Sequence, residues 1–254
     1  MDKINSKYNI LILAAGTGKR MGRIGKHRPK CLMKLGKFLL IDYLINFIIE
    51  KKFKDVNIIV GFQHLQIQKY LSKYKKIKIK YIKIKNFKTN GHGMSWFAYK
   101  KNFLLNKKNT IIIHADTFIH KKYFENIIKS KYPDIIGVEN VDRSLNQEAY
   151  YIEVKKNNIT KIKNKNLINK PKGVVIGLNK VSSDTMKKIF IFMNNFFKKK
   201  VNKKLSWENV LNKFILENPG IFKILKNQKY KWVNINKKKD LLIARKFSKK
   251  NLFI

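Results

Sequence analysis

A short apolar run near the N-terminus leads into a loop whose residues could bind phosphate groups. The run NILILAA at 9–15 is followed by Gly-Thr-Gly at 16–18, and Arg20 and Lys30 come soon after it. Small residues leave backbone N–H groups uncovered, so that the loop can approach phosphate closely. Arg20 and Lys30 add positive charges that suit a triphosphate. The pattern is neither the Walker sequence nor GxGxxG, because Met21 stands where the third glycine would be.

A carboxylate that could hold a metal ion follows a second apolar run, TIIIH at 110–114. Asp116 comes two residues after this run. Ligands of open α/β sheets bind outside the carboxyl ends of the strands, and Mg²⁺ needs only one or two protein oxygen ligands because it keeps several waters. Asp is also common in turns. The residues alone therefore leave two interpretations of Asp116, a magnesium ligand or a turn residue.

The elements around these residues alternate between strand and helix. The apolar patterns predict strands at 9–15, 56–60, 77–84 and 110–114, and helices at 39–50 and 66–74. Such alternation predicts an α/β fold with a mostly parallel central sheet.

The second half of the chain is less regular. We predict a hairpin from 149–154 and 159–163, a strand at 173–178, helices at 182–197 and 207–216, a strand at 230–235 and a helix at 239–247. No composition break divides the chain, so we expect one domain over 1–254. Within it, residues from about 1 to 140 would form a nucleotide-binding half, those from about 140 to 230 an acceptor-binding half, and 231–254 a closing strand and helix.

The composition is strongly basic, with 58 Lys and Arg residues against 15 Asp and Glu residues and a formal net charge of +43. Only five of these cations are arginines, and the lysines are spread from Lys3 to Lys250. Readers of nucleic acid sequence usually rely on Arg, so we expect no specific nucleic acid partner and attribute the charge to genomic coding bias. The field still attracts anionic substrates such as nucleoside triphosphates.

Cellular location is predicted from three simple observations. Cys31 is the single cysteine, so no disulfide can form within the chain. The N-terminal apolar stretch is too short to span a membrane and lacks a cleavage site. We therefore expect a cytoplasmic protein with no membrane insertion.

Two segments together resemble the opening signature of the sugar-nucleotidyltransferase superfamily, which includes the cytidylyltransferases of phosphocholine type. They are LAAGTGKRMG at 13–22 and PKCLMKLGK at 29–37. The resemblance implies a three-layer α/β/α Rossmann-like fold with a mixed, mostly parallel sheet. It implies that the first loop wraps the nucleotide phosphates, with Arg20 steadying the triphosphate and Lys30 lying near the α-phosphate. The loop residues concerned are Leu13, Ala14, Ala15, Gly16, Thr17 and Gly18.

The resemblance also implies a magnesium cofactor. Asp116 matches the metal aspartate of the family, and Asn236, in WVNIN at 232–236, stands where many members carry a second aspartate. An amide oxygen can bind magnesium without cancelling its charge. Asn236 therefore leaves open a nucleotide-binding protein without turnover. Asp240 is interpreted as the N-cap of the last helix.

Further site residues follow from the same resemblance. The segment KTNGHGMSWF at 88–97 corresponds to the base-recognition loop, which would place Asn90, Gly93 and Ser95 at the nucleotide. On the acceptor side, Lys170 matches the position of a phosphate-binding lysine. Trp207 and Glu208 resemble a Trp-acid pair of cytidylyltransferases, although a buried Trp opening an amphipathic helix explains them equally well.

The expected reaction transfers a nucleoside monophosphate from an NTP to a small phosphorylated sugar or alcohol and releases pyrophosphate. Such products serve as precursors of cell-surface glycans or lipids. CTP and an alcohol or aminoalcohol phosphate are slightly favoured, with sugar 1-phosphates close behind. Homodimers are common in the family, but the sequence alone does not show an interface. The competing interpretations are a basic nucleic-acid-binding module and a nucleotide-binding protein without turnover.

Overall fold

A mixed nine-stranded sheet forms the centre of the molecule in the computed structural model, which describes residues 6–141, 149–227 and 229–249. The strands in chain order are β1 Tyr8–Ala14, β2 Lys34–Leu35, β3 Phe38–Leu39, β4 Asp55–Val60, β5 Ile79–Lys83, β6 Asn109–His114, β7 Thr117–Ile119, β8 Ile135–Glu139, β9 Tyr150–Lys155, β10 Asn158–Asn164, β11 Gly173–Val181, β12 Lys223–Asn227 and β13 Trp232–Asn234. The helices are α1 Arg23–His27, α2 Leu40–Glu50, α3 His64–Leu71, α4 Gly93–Ala98, α5 Lys100–Asn106, α6 Lys121–Lys129, α7 Ser183–Phe196, α8 Trp207–Glu217 and α9 Lys238–Lys249.

The order of strands in the sheet is β5-β4-β1-β6-β11-β8-β12-β10-β9. Strands β5, β4, β1 and β6 run parallel, as do β8 and β12, whereas β11 is antiparallel to β6 and β8. The small pairs β2–β3 and β7–β13 lie outside this sheet. The predicted α/β class with a mixed, mostly parallel sheet is confirmed for the nucleotide half, and antiparallel pairing predominates beyond β6.

Helices cover both faces of the sheet because the central strands are apolar on both sides. In β1, Ile10 and Ile12 pack in one core cluster with Ile45 of α2. Leu11, between them, packs in the opposite cluster with Trp96 of α4 and Phe190 of α7. A strand buried on both faces needs a layer on each side, so the three-layer α/β/α arrangement follows from the sequence of β1.

The structure also contains elements that periodicity did not predict. Strands β8 and β12 and helix α6 were absent from the sequence expectation. In β12, KILKN at 223–227 looks like a surface segment, yet its backbone pairs in parallel with β8 in the interior of the sheet. The predicted hairpin forms, with Lys156 and Asn157 in its turn at positive φ. The residue pattern of one segment does not reveal which strand it pairs with. This long-range pairing decides where β8 and β12 lie.

Two sets of backbone contacts gather residues at the edge of the sheet where β1 and β6 end. Leu13 of β1 is in register with His114 of β6, and the N–H of Ala115 donates to the carbonyl of Leu13 at 3.0 Å. Strand β13 pairs with β7, and the N–H of Ile235 donates to the carbonyl of Asp116 at 2.8 Å. Residues far apart in the chain therefore converge on one end of the sheet. Across the described ranges, no helix is both long enough and apolar enough to cross a membrane.

Candidate active site

A cavity opens at the carboxyl end of β1 and β6. The residues that line it come from the glycine loop, from the two strand ends and from helices α4 and α8. They are Leu13, Ala15, Gly16, Thr17, Gly18, Lys19, Arg20, Lys30, His92, Ser95, His114, Asp116 and Trp207. Its position matches the rule that ligands of α/β sheets bind at strand carboxyl ends.

The glycine loop is shaped by one left-handed residue. Gly18 has φ of +64° and precedes a 3₁₀ turn, Lys19–Met21, that carries Arg20 to the cavity. A Cβ on Gly18 would lie 3.3 Å from Cγ of Lys30, so a side chain there would crowd that lysine as well as strain the backbone. Glycine at position 18 therefore lets the loop and Lys30 occupy adjoining space.

Lys30 connects the glycine loop to the strand ends. It begins a 3₁₀ turn at Lys30–Leu32 whose other residues, Cys31 and Leu32, are buried and anchor the segment. The Lys30 ammonium pairs with the carboxylate of Asp116, and its Nζ donates to Oδ1 of Asn236 at 3.0 Å. The side chain of Lys30 is 13% exposed, so its ammonium needs these oxygens or a bound anion as hydrogen-bond partners.

Asp116 is held as a carboxylate by its neighbours. Burial alone would raise its pKa, but Lys30 and His114 lower it, and the net pKa lies below the ordinary value of an aspartate. Asp116 therefore stays ionised at neutral pH.

Asn236 lies beside Asp116 through the β7–β13 pairing. Its Oδ1 also accepts a hydrogen bond from Nη2 of Arg20 at 3.0 Å. The carboxylate of Asp240 accepts from the N–H groups of Asn236 and Lys237 at 2.9 and 2.7 Å. The interpretation of Asp240 as an N-cap is corrected, because α9 begins at Lys238 and Asp240 lies within its first turn.

The oxygens of Asp116 and Asn236 suit a magnesium ion. Both oxygens bond to the same atom, Nζ of Lys30, so one cation can reach a carboxylate and an amide oxygen together. Magnesium accepts such hard oxygen ligands and fills the remaining positions with water or phosphate oxygens. No group of three or more His, Cys, Asp or Glu residues in the described ranges is arranged to hold a metal. The donor set therefore fits a metal that takes few protein ligands.

One wall of the cavity is aromatic. His114 makes an edge-to-face contact with Trp207 at 5.1 Å between ring centroids, and Trp207 stacks on Trp96 at 5.4 Å. The Nε2 atom of His114 is buried and has no hydrogen-bond partner within the described part of the chain. Burial lowers the pKa of His114 to about 4 although Asp116 opposes the shift. Sequence reasoning did not single out His114, which ends β6 two residues before Asp116 and lines the same cavity.

The remaining predicted residues lie at different distances from the cavity. Ala14 lies on a small adjoining recess that Asp116 also lines. The other predicted residues that do not line the cavity are Asn90, Gly93, Lys170, Glu208 and Asn236, although Asn236 bonds to Arg20 and Lys30, which do. Gly93 is buried with its N–H donating to Leu205 at 3.1 Å, whereas Lys170 is exposed. Their binding roles stay predictions.

Glu208 lies behind Trp207 in the first turn of α8. Burial raises the pKa of its carboxyl to about 7, and Asp116 contributes to the increase. Glu208 itself does not line the cavity.

Comparisons with known proteins agree with this geometry. The family model described as nucleotidyl transferase matches residues 9–241. The chain is 30% identical over 127 residues, 48% of its length, to a CTP:phosphoglutamine cytidylyltransferase of Campylobacter jejuni, and 32% identical over 126 residues, again 48%, to a choline-phosphate cytidylyltransferase of Streptococcus pneumoniae. These matches span 49% and 51% of the two relatives, so the chain spans about half the length of the curated relatives it matches. The fold is similar to that of the inositol-1-phosphate CTP transferase from T. maritima, with a TM-score of 0.79, 17% identity and 96% of each chain covered.

Proposed function

The chain belongs to the nucleotidyl transferase family, and on this basis we propose that it transfers a nucleoside monophosphate from an NTP to a small phosphorylated acceptor, with magnesium as cofactor. The observation that carries the proposal is the convergence of Lys30, Asp116 and Asn236 beside the glycine loop. We propose CTP as the nucleotide because two relatives with detectable sequence identity are named cytidylyltransferases. A cytoplasmic location, where NTPs are available, remains part of the proposal.

In the proposed reaction an oxygen of the acceptor phosphate attacks the α-phosphorus of the NTP. The new P–O bond forms as the bond from the α-phosphorus to the oxygen bridging to the β-phosphorus breaks. Pyrophosphate leaves with the electron pair of that bond. No proton transfer from the protein is required, because both the nucleophile and the leaving group are ionised phosphates.

The protein contributes position and charge. Small residues at 16–18 allow the triphosphate to approach the backbone, and Arg20 on the adjoining 3₁₀ turn reaches its outer phosphates. Lys30 is placed to offset negative charge at the α-phosphate. A magnesium ion held by Asp116 and Asn236 would neutralise charge on the phosphate oxygens.

The pairing of Lys30 with Asp116 is a resting arrangement in this scheme. Once the substrate phosphates offer other oxygens, Lys30 can turn to them and leave Asp116 for the metal. The two oxygen ligands and the ammonium lie within hydrogen-bond distance, so the exchange needs only side-chain motion. Electrostatic stabilisation of this kind is commonly worth about 3 kcal/mol for a single donor.

The test is pyrophosphate release with Mg²⁺, using each of the four common NTPs against a panel of phosphorylated sugars, alcohols and amines. Release with one NTP–acceptor pair supports the proposal and identifies both substrates. Absence of release across the panel, with NTP binding intact by calorimetry, contradicts turnover and favours the nucleotide-binding alternative. A salt-sensitive gel shift with DNA or RNA would instead support the nucleic-acid-binding alternative.

A further inference from the structure

His114 occupies a recess that the fold constructs around it. Gly177 of β11 has φ of +85°, and a Cβ there would lie 3.0 Å from Cγ of His114. The register of β11 against β8 shifts between Val175 and Asn179, so Gly177 lies in an irregular stretch opposite the histidine. Together with the edge-to-face contact from Trp207, this arrangement fixes the imidazole while leaving Nε2 without a partner.

A buried polar atom without a partner destabilises the protein, and a ligand bound in the cavity can remove that cost. The position of His114 indicates which ligand that is. The glycine loop adjoins β4, since the N–H of Phe62 donates to the carbonyl of Ala15 at 3.2 Å. His114 is in register with Leu13 of β1, and its ring adjoins β11 and α8 in the second half of the chain. A group that reaches both Asp116 and His114 therefore lies next to β11 and α8, elements of the half of the chain that we expect to bind the acceptor.

The charges on this side do not suit a cationic acceptor. Among the described residues that line the cavity, Asp116 is the single carboxylate, and Lys30 already pairs with it. Arg20 and Lys19 add further positive charge to the same cavity. Glu208 does not line the cavity, so a quaternary ammonium group there would compete with these cations for Asp116.

The aromatic wall offers little surface that could bind a cation. Cation–π binding requires an open ring face. Trp207 is 1% exposed, stacks on Trp96 with 9° between the ring planes, and has His114 against it. Little of its ring surface is left to receive a cation.

We propose that His114 is a specificity-determining residue that hydrogen-bonds a hydroxyl group of the acceptor, so that the acceptor is a phosphorylated polyol or sugar and not an aminoalcohol phosphate. A hydroxyl suits Nε2 whether or not that atom carries a proton, because a hydroxyl both donates and accepts. This inference rests on the proposed function for the identity of the acceptor side. The inference distinguishes polyol and sugar phosphates from aminoalcohol phosphates, two acceptor classes between which the family resemblance does not decide.

The experiment compares two sets of acceptors with wild type, His114→Phe and His114→Gln. The hydroxylated set is glycerol 3-phosphate, glucose 1-phosphate and myo-inositol 1-phosphate, and the cationic set is phosphocholine and phosphoethanolamine. Phe keeps a planar ring in the recess but has no hydrogen-bonding atom, whereas Gln restores one. His64→Phe, in α3 and outside the cavity, is the matched control.

For wild type we expect the best hydroxylated acceptor to exceed the best cationic one in kcat/KM by about 100-fold, since a buried group left unpaired is rejected strongly. His114→Phe should raise the KM for that acceptor by about 10- to 100-fold and leave the KM for the NTP unchanged. His114→Gln should recover part of the loss, and His64→Phe should match wild type. Preference for phosphocholine, or a change in the KM of the NTP alone, overturns the inference.

Acceptor binding by calorimetry, with a non-hydrolysable CTP analogue present, separates this inference from the proposed function. If no pair releases pyrophosphate but hydroxylated phosphates bind selectively and His114→Phe removes that selectivity, the role of His114 stands and turnover fails. If binding does not discriminate between the two sets, or His114→Phe leaves it unaltered, the role of His114 is overturned whatever the result for turnover.

Discussion

Asn236 accepts hydrogen bonds from Arg20 and from Lys30 through one oxygen, each at 3.0 Å. Arg20 and Asn236 are 216 residues apart in the chain, so this contact joins the turn after the glycine loop to the segment that follows β13. As a ligand of the proposed magnesium ion, this amide oxygen would offer polarity without negative charge. In the protein without ligand, the Asn236 side chain is held by its bonds to Arg20 and Lys30. A substitution at position 236 would therefore alter the surroundings of both cations.

Asn236→Asp should increase magnesium affinity. The added carboxylate stands beside Asp116 and two cations, so its charge is compensated while the metal gains an ionic ligand. We expect the Mg²⁺ concentration for half-maximal pyrophosphate release to fall about tenfold, corresponding to about 1.4 kcal/mol. The exposed Asn195→Asp controls for the change in net charge. An unchanged half-saturating concentration would show that position 236 does not contact the metal.

Asp116→Ala should abolish turnover while the protein stays folded. The change removes the proposed ionic metal ligand. Lys30 keeps its hydrogen bond to Oδ1 of Asn236 at 3.0 Å. We expect pyrophosphate release to fall by a factor of about 1,000 or more, as for other groups that stabilise transition-state charge. Circular dichroism checks the fold.

The matched control for Asp116→Ala is Asp184→Ala, an aspartate whose side chain is 84% exposed. It should retain wild-type activity. Near-normal turnover in Asp116→Ala would contradict the metal assignment.

Lys30→Ala should lower kcat more than it changes the KM of either substrate. Its charge is proposed to act on the α-phosphate as charge develops there, and removal of such a group costs about 100- to 1,000-fold in rate. Steady-state kinetics with saturating magnesium provide the measurement. Lys187→Ala, which removes an exposed lysine paired with Asp184, should be neutral. A change confined to KM would assign Lys30 to ground-state binding instead.

The parts of this site that sequence could predict are those held by local patterns. Arg20, Lys30 and Asp116 follow short apolar runs or glycine turns, and the structure brings all three to one cavity. His114 was not predicted, because its recess depends on Gly177, a residue 63 positions later whose backbone irregularity has no sequence signature beyond the glycine itself.

The fold shows the same division between local and long-range information. Strands β1 and β6 are continuous apolar runs and were predicted within a residue or two of their observed bounds. Strand β12, with lysines at both Lys223 and Lys226, reads as surface sequence. Its place in the sheet is fixed by pairing with β8, which periodicity along one segment cannot reveal.

Gly177→Ala should destabilise the protein and weaken acceptor binding together. The new Cβ would meet the His114 ring at 3.0 Å and would also strain a backbone with φ of +85°. We expect a loss of about 1–3 kcal/mol in the free energy of unfolding, from strain and crowding combined. Chemical denaturation and the KM of the acceptor are the two measurements.

Gly220→Ala provides the matched control for Gly177. Gly220 has the same φ of +85°, but a Cβ there meets nothing within 4 Å. It therefore isolates the cost of backbone strain, and any excess loss in Gly177→Ala measures crowding of the two residues next to Gly177, His114 and Thr117. Equal losses in the two variants, with an unchanged acceptor KM, would show that the recess does not constrain the histidine.

Asp42→Asn should destabilise the protein in a pH-dependent manner. Asp42 is 1% exposed, and its carboxylate accepts hydrogen bonds from the hydroxyls of Tyr70 and Tyr74 at 2.6 and 2.5 Å and from the N–H of Leu39 at 2.8 Å. The Lys73 ammonium lies 3.1 Å away. Replacing this carboxylate weakens charge-assisted bonds, so we expect a loss of about 2 kcal/mol in the free energy of unfolding at pH 7.

The sign of the pH effect follows from the direction of the pKa shift. Burial alone would raise the pKa of Asp42, but the bonds from Tyr70, Tyr74 and Leu39 lower it, and the net pKa lies below its usual value. A lowered pKa stabilises the folded state above the unfolded value of about 4, and this stability is lost as the pH falls through the folded value. The difference between wild type and Asp42→Asn should therefore be largest at pH 7 and narrow below pH 4. Denaturation at a series of pH values tests this expectation, and the exposed Asp184→Asn should show no comparable trend. A difference that stays constant with pH would mean that the carboxylate charge contributes nothing and that the variant acts through packing alone.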